Sequence, residues 1–243
     1  MRISGVKMAA GVGGAVELLS KAVVVNAAAG KHSATLLFLH GLGDTGHGWA
    51  EQLAHIRHPS LKIVCPNAPV APVTLNGGFR MPSWFDIYSL DKTSKQDEEG
   101  LQKAAKEIHE ILDAECSEPG MSPDRIILGG FSQGGCLAIF SALTYPKRLA
   151  GILGLSTYLP IHQILETKMT SENKTIPFLQ CHGDADPMVA YKFGKLSSER
   201  ITSFNPDNHQ FLTYRGLGHA SNEQEMEDVK RWLLSVLSIG GNL

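Results

Sequence analysis

The hydrophobic positions of this chain alternate between two periods. Short continuous apolar runs, the mark of strands covered on both faces, occupy residues 35–39, 61–65, 125–128, 150–155, 176–180 and 209–214. Between them lie stretches with helical spacing. Over 97–114, Leu101, Ala104, Ala105, Ile108, Ile111 and Leu112 fall on one face. Residues 136–145 and 189–203 are helix-compatible, and Pro146 ends the first of these. The last helix opens on Ser221-Asn222-Glu223-Gln224, a capping-box pattern with Ser221 as the cap, and buries a stripe of Met226, Val229, Leu233, Val236 and Leu237. Strands separated by helices throughout predict an α/β fold built on a mostly parallel, doubly covered sheet. Residues 67–90 break the alternation. They read as a long loop rich in Pro, Gly and aromatics, and loops of that length in compact domains are usually functional.

Within this pattern one stretch is distinctive. Gly129-Gly130-Phe131-Ser132-Gln133-Gly134-Gly135 stands between a strand and a helix, and it contains G-x-S-x-G, the nucleophile elbow. The serine backbone is strained at such an apex, and a Cβ at either flanking glycine would crowd the strand or the helix. The helix N-terminus then directs free N–H groups toward the serine hydroxyl.

A serine hydroxyl is a weak nucleophile, so a base must take its proton and a carboxylate must orient that base. In parallel sheets such groups collect at the carboxyl ends of strands. After the 176–180 strand comes Cys181-His182-Gly183-Asp184-Ala185-Asp186-Pro187, and after the 209–214 strand comes Arg215-Gly216-Leu217-Gly218-His219. Serine, aspartate and histidine therefore follow in the order of an α/β-hydrolase, with His219 as base. Two aspartates compete to orient it. Asp186 lies deeper in the loop and reaches further; Asp184 is placed to cap a turn. The spacing favours Asp186. His182, at a strand end, reads as a structural histidine. His40-Gly41-Leu42-Gly43-Asp44-Thr45-Gly46, after the first strong strand, suits one half of an oxyanion hole. It lacks the later glycine spacing of a dinucleotide site and carries an acid where phosphate would sit. The N–H of Gln133 supplies the second donor.

Composition narrows the classes. The chain has 243 residues, 43% of them hydrophobic and 19% charged, as in ordinary globular proteins. A net charge of −2 excludes a broad nucleic-acid surface. Of the four cysteines, Cys65, Cys136 and Cys181 lie in apolar runs and read as buried free thiols of a reducing, cytoplasmic setting. Nothing has metal-ligand spacing, so neither metal nor cofactor is expected. The first 30 residues are hard to read. Arg2 and Lys7 precede a small-residue stretch as in leader peptides, but Glu17 interrupts it and no cleavage site follows. A loosely ordered start, or an outer strand over 22–26, is the better reading there. The organisation expected is an N-terminal extension over 1–30 and a single domain over 31–240. The composition leaves the oligomeric state open.

Four motifs together carry a resemblance. His40-Gly41-Leu42-Gly43-Asp44-Thr45-Gly46-His47-Gly48-Trp49, Pro82-Ser83-Trp84-Phe85-Asp86, the elbow, and Gln180-Cys181-His182-Gly183-Asp184-Ala185-Asp186 resemble the acyl-protein thioesterase / lysophospholipase family of α/β-hydrolases, from about residue 33 to 237. The resemblance implies an α/β-hydrolase without a large cap, and a triad of Ser132, Asp186 and His219. It also implies that Leu42 and Gln133 give the oxyanion N–H groups. The activity implied is cleavage of long-chain acyl thioesters from S-acylated proteins, with lysophospholipase and carboxylesterase side activity, no cofactor, and transient contact with membrane surfaces. A general carboxylesterase, or a catalytically silent lipid-binding protein on the same fold, are the alternatives. Tyr158 stands where relatives usually carry Trp, which bears on the acyl site. The 67–90 loop offers Leu75, Phe79, Met81 and Trp84 as further acyl-chain contacts, or as side chains that simply cover the sheet.

Overall fold

The computed structural model describes residues 13–28, 32–89 and 96–238. Seven strands form one sheet in the order β1-β3-β2-β6-β7-β8-β9: β1 (Val23–Val25), β2 (Ala34–Leu39), β3 (Leu61–Cys65), β6 (Ile126–Phe131), β7 (Gly151–Leu155), β8 (Phe178–Gly183) and β9 (His209–Tyr214). Only β1 runs antiparallel, along the β3 edge. Every residue of β2 and β7 is buried, which is why those runs are apolar without alternation.

Successive side chains then separate two cores. Leu37, Leu39, Ile126 and Leu128 pack beneath α1 (Gly13–Ser20), α3 (Glu98–Glu115) and α4 (Ser132–Thr144). Leu36, Phe38, Ile127 and Leu153 face α2 (Gly46–Leu53) and α7 (Glu223–Val236). α6 (Tyr191–Phe204) connects β8 to β9. In α3 the predicted face is buried, and Asp97 caps the helix by accepting from the Gly100 N–H. Cys65, Cys136 and Cys181 are buried free thiols.

Four expectations are corrected. β6 continues three residues past 128, through Gly129-Gly130-Phe131, and α4 begins at Ser132 itself, so the turn is a single residue. The glycines permit this: Gly129 lies where a Cβ would meet Leu153 Cβ at 3.0 Å, and β6 still pairs with both neighbours there. β8 begins two residues later than expected and ends three residues later, at Gly183, because it pairs with β9 out to Gly183↔Tyr214. α7 is capped by Asn222, not Ser221: its side chain accepts from the Glu225 N–H at 2.8 Å. The loop over 67–90 contains an antiparallel hairpin, β4 (Val70–Val73) and β5 (Phe79–Pro82), turned by Gly77 and Gly78 at φ 65° and 83°. The expected outer strand appears as β1; residues 1–12 lie outside the described residues. No helix among the described residues is long and apolar enough to cross a membrane.

The cap of α7 has an energetic consequence. It carries Glu225 inward, where the side chain is wholly buried with the Ser221 hydroxyl beside its carboxylate. Burial pushes this carboxyl up to about 7. The folded state therefore holds a proton that the unfolded chain releases above about 4.5. Stability contributed by this group is full below about pH 4.5 and falls as pH rises toward 7. Glu225→Gln, which mimics the protonated acid, is expected to melt higher than wild type at pH 8. The gain is on the order of 3 kcal/mol at most and fades as pH falls toward 4.5. Equal melting temperatures at both pH values would show that Glu225 is not held neutral by the fold.

Candidate active site

The site is built at the carboxyl ends of β2, β6, β8 and β9. At the β6–α4 junction Ser132 has φ 53°, the left-handed conformation expected of a nucleophile elbow. A Cβ on Gly130 would lie 2.5 Å from the Gly134 carbonyl, and one on Gly134 would lie 2.3 Å from the carbonyl oxygens of Leu39 and His40. Both obstacles are backbone and cannot give. Thr157 holds the elbow from the β7 side, its hydroxyl donating to the Ser132 carbonyl at 2.7 Å.

The other two predicted residues converge on this serine. His219 Nε2 lies 3.0 Å from Ser132 Oγ, and His219 Nδ1 lies 2.7 Å from Asp186 Oδ2. A carboxylate only accepts, so the imidazole proton sits on Nδ1 and Nε2 is free to accept from the serine hydroxyl. Asp186 is 6% exposed, and its other oxygen accepts from the N–H groups of Met188 and Val189, both at 2.9 Å. The imidazole rests on Phe131, with ring centroids 4.7 Å apart, and Phe131 in turn lies against Trp49.

Asp184 occupies a different place. Its carboxylate accepts from the Gly216 N–H at 2.6 Å, tying the aspartate loop to the loop that carries His219. It caps a turn, as read from the sequence, but the turn belongs to the neighbouring loop. The two loops can meet because Gly183 has no side chain: a Cβ there would be 2.1 Å from the Leu217 carbonyl oxygen. His182 is buried and donates from Nε2 to the Val189 carbonyl at 2.8 Å, bracing the turn that bonds Asp186. Burial holds its pKa below the ordinary histidine value, so it is neutral beside Asp186, 3.6 Å away.

Leu42 and Gln133, the expected oxyanion donors, lie on the two segments that meet at the elbow. Gln133 is the second residue of α4, where a backbone N–H has no partner within the helix. Leu42 follows Gly41, which approaches the elbow so closely that a Cβ would be 3.1 Å from the Phe131 ring. The Pro82-Ser83-Trp84-Phe85-Asp86 motif and His40 are tied together here through the Gln133 side chain and the Trp84 indole. The Gln133 side chain is buried; its amide donates to Ser83 Oγ at 3.0 Å and to the Phe85 carbonyl at 2.7 Å, and its oxygen accepts from the Trp84 N–H. Trp84 donates from its indole to the His40 carbonyl at 2.8 Å. His40 donates from Nδ1 to the Gly41 carbonyl and accepts at Nε2 from the Ala68 N–H, an arrangement that requires a neutral ring. Burial lowers its pKa accordingly. In the sequence these residues stand out as the Pro82-Ser83-Trp84-Phe85-Asp86 motif, whose spacing carries no sign of its partners Gln133 and His40.

The expected acyl contacts are distributed around this centre. Trp84 is 6% exposed and packs in the core, whereas Phe79 is 69% exposed on the hairpin and Leu75 is exposed beside it. Met81 is half-buried, its sulfur 3.6 Å from where a Cβ on Gly43 would stand. Tyr158 hydrogen-bonds Cys136 on α4, and burial raises the pKa of both groups. Among the described residues no group of three or more His, Cys, Asp or Glu is arranged to hold a metal ion.

The two aspartates separate experimentally. Asp186→Asn is expected to lower kcat by roughly 10³–10⁴-fold, because an amide can hold the wrong imidazole tautomer. Asp184→Ala should keep kcat within a few-fold and lose about 1 kcal/mol of stability, the scale of one hydrogen bond. Ser132→Ala should abolish both turnover and labelling by a fluorophosphonate. A dead Asp184→Ala beside an active Asp186→Asn reverses the assignment.

Comparison with known proteins agrees with this geometry. A family described as Phospholipase/Carboxylesterase matches residues 20–237. Acyl-protein thioesterase 1 of Cryptococcus neoformans is 40% identical over 223 residues, covering 85% of this chain and 93% of that protein. Acyl-protein thioesterase 1 of Mycosarcoma maydis is 40% identical over 233 residues, covering 89% and 97%. The crystal structure of Zea mays acyl-protein thioesterase 2 superposes with a TM-score of 0.81 at 35% identity, covering 89% of this chain and 98% of that one. The chain belongs to the acyl-protein thioesterase family, within the phospholipase/carboxylesterase group of α/β-hydrolases.

Proposed function

We propose that the protein is a serine hydrolase that removes long-chain acyl groups from the cysteine thiols of S-acylated proteins. Lysophospholipids and small carboxylic esters are further substrates, reached by brief contact with membrane surfaces. The observation that carries this reading is the unbroken hydrogen-bonded line from Asp186 Oδ2 through His219 to Ser132 Oγ, with steps of 2.7 and 3.0 Å. The substrate class follows from the thioesterase relatives.

The chemistry derives from the residues in place. Ser132 Oγ attacks the acyl carbon while its proton passes to His219 Nε2, and the buried Asp186 carboxylate stabilises the imidazolium. Charge develops on the acyl oxygen between the N–H groups of Leu42 and Gln133. When the carbon–sulfur bond breaks, His219 returns the proton to sulfur. Water then repeats the sequence, giving up a proton to the imidazole and releasing the fatty acid.

None of these groups reads sulfur, so a thioester is favoured because thiolate leaves more easily than alkoxide. Preference for long chains must come from apolar burial, worth about 0.8 kcal/mol per methylene. Leu75, Phe79 and Met81 on the hairpin form the candidate wall, with Tyr158 on the β7 loop. Trp84, tied to His40 and packed in the core, serves as the contrast. Met81→Ala is expected to raise KM for palmitoyl over acetyl thioesters by about 1–2 kcal/mol equivalent, while Trp84→Ala lowers activity on both alike. Equal losses on the two substrates in Met81→Ala would make the hairpin scaffold.

A further inference from the structure

The proposed reaction has a second direction that the acyl wall does not address. The imidazole that accepts the serine proton must deliver it to the departing sulfur, so the leaving group has to lie within hydrogen-bond reach of His219 Nε2. Beside the same histidine the surface is grooved. An open depression of about 260 Å³ runs past His219, lined by Asp44, Trp49, Gln52, Phe131 and Ser221 among others. Aromatic rings line it in series, Trp49 against Phe131 at 4.9 Å and Phe131 against His219 at 4.7 Å, each pair tilted.

Charge in this groove is one-sided. Apart from the catalytic imidazole, Asp44 is its only ionisable lining residue among the described residues. Asp44 is exposed, and its carboxylate lies over Gly48, 3.2 Å from where a Cβ on that glycine would be. One of its oxygens accepts from the Thr45 N–H at 2.7 Å, which holds the carboxylate at the groove wall. No lysine or arginine lines the groove to neutralise it.

Resting on the thioesterase reading above, we infer that this groove is the leaving-group subsite, and that Asp44 makes it select acylated cysteines flanked by positively charged residues. In the step concerned, the Ser132 oxygen–acyl carbon bond forms and the carbon–sulfur bond breaks. The serine proton travels through His219 Nε2 to the sulfur, and the peptide thiol leaves along the groove past Asp44. A lysine or arginine beside the cysteine meets the carboxylate; a glutamate there is repelled. The effect on an exposed pair is modest and salt-sensitive.

The test uses S-octanoyl-cysteine hexapeptides that differ only in carrying Lys or Glu beside the cysteine, with octanoyl-N-acetylcysteamine as an uncharged reference. The ratio of kcat/KM for the Lys peptide to that for the Glu peptide is measured on one enzyme preparation, so the fraction folded cancels. In wild type the ratio is expected to be roughly two- to tenfold at low ionic strength and to fall toward one in high salt. Asp44→Asn, which keeps the bond to Thr45, should bring it toward one, and Asp44→Lys should invert it. A wild-type ratio of one, or a ratio unchanged in Asp44→Lys, overturns the groove assignment while the thioesterase reading stands. Absence of turnover on the uncharged thioester overturns both.

Discussion

Everything at the site depends on one backbone conformation, the left-handed Ser132 between β6 and α4. A non-glycine residue in that region carries strain of about 1–3 kcal/mol, and it persists only where surrounding structure over-determines it. Here the determination is steric and comes from both sides. Gly130 and Gly134 let strand and helix close to backbone contact, and Gly134 rests against the carbonyls at the end of β2. The same contact brings the oxyanion loop, His40 to Gly43, beside the serine. The strain therefore sets the hydroxyl, the helix N-terminus and the second donor loop in one act.

The electrostatics are organised around a second constraint, a buried carboxylate whose lone pairs must all be used. A buried charge is tolerated only with partners. Asp186 has two backbone N–H groups on one oxygen and His219 on the other. His182 does not add a proton to this set; held neutral by burial, it fixes the Val189 carbonyl and so the turn that supplies the N–H donors. Asp184 performs the complementary task between loops. Two aspartates two residues apart thus serve one histidine, one by contact and one by positioning its chain.

Much of this was legible in the sequence because the informative residues are local. The α/β alternation shows in continuous apolar runs. The elbow shows in glycines around a serine, and the order of serine, aspartate and histidine fixes which loops must meet. What escaped is non-local. Nothing in the sequence says that the Gln133 side chain, beyond its N–H, reaches Ser83 and Phe85 some 50 residues upstream. Glycines hide strand ends, since they lack the apolar signal while pairing normally; β6 was read three residues short for that reason. The hairpin in 67–90 was obscured by Pro and exposed apolar side chains, which mask the period of two. At α7, Ser221 and Asn222 are both good caps, and the choice between them rests on which leaves the helix face of Met226, Val229 and Trp232 inward.

Catalysis and selection are carried by different parts of the fold. The triad and its donors stand on the ends of parallel strands, held by backbone contacts that allow almost no adjustment. The surfaces we propose to meet substrate are of another kind. One is a two-strand hairpin whose Phe79 is largely exposed, and the other is a groove whose single fixed charge is a solvent-facing Asp44. Such surfaces discriminate by small increments, through methylene burial on one side and screened charge on the other. Tyr158 is anchored to α4 through Cys136 and not to the triad, so a change there leaves the hydrogen-bonded line from Asp186 to Ser132 untouched. A site assembled this way holds its reaction fixed and leaves its substrate range free to shift.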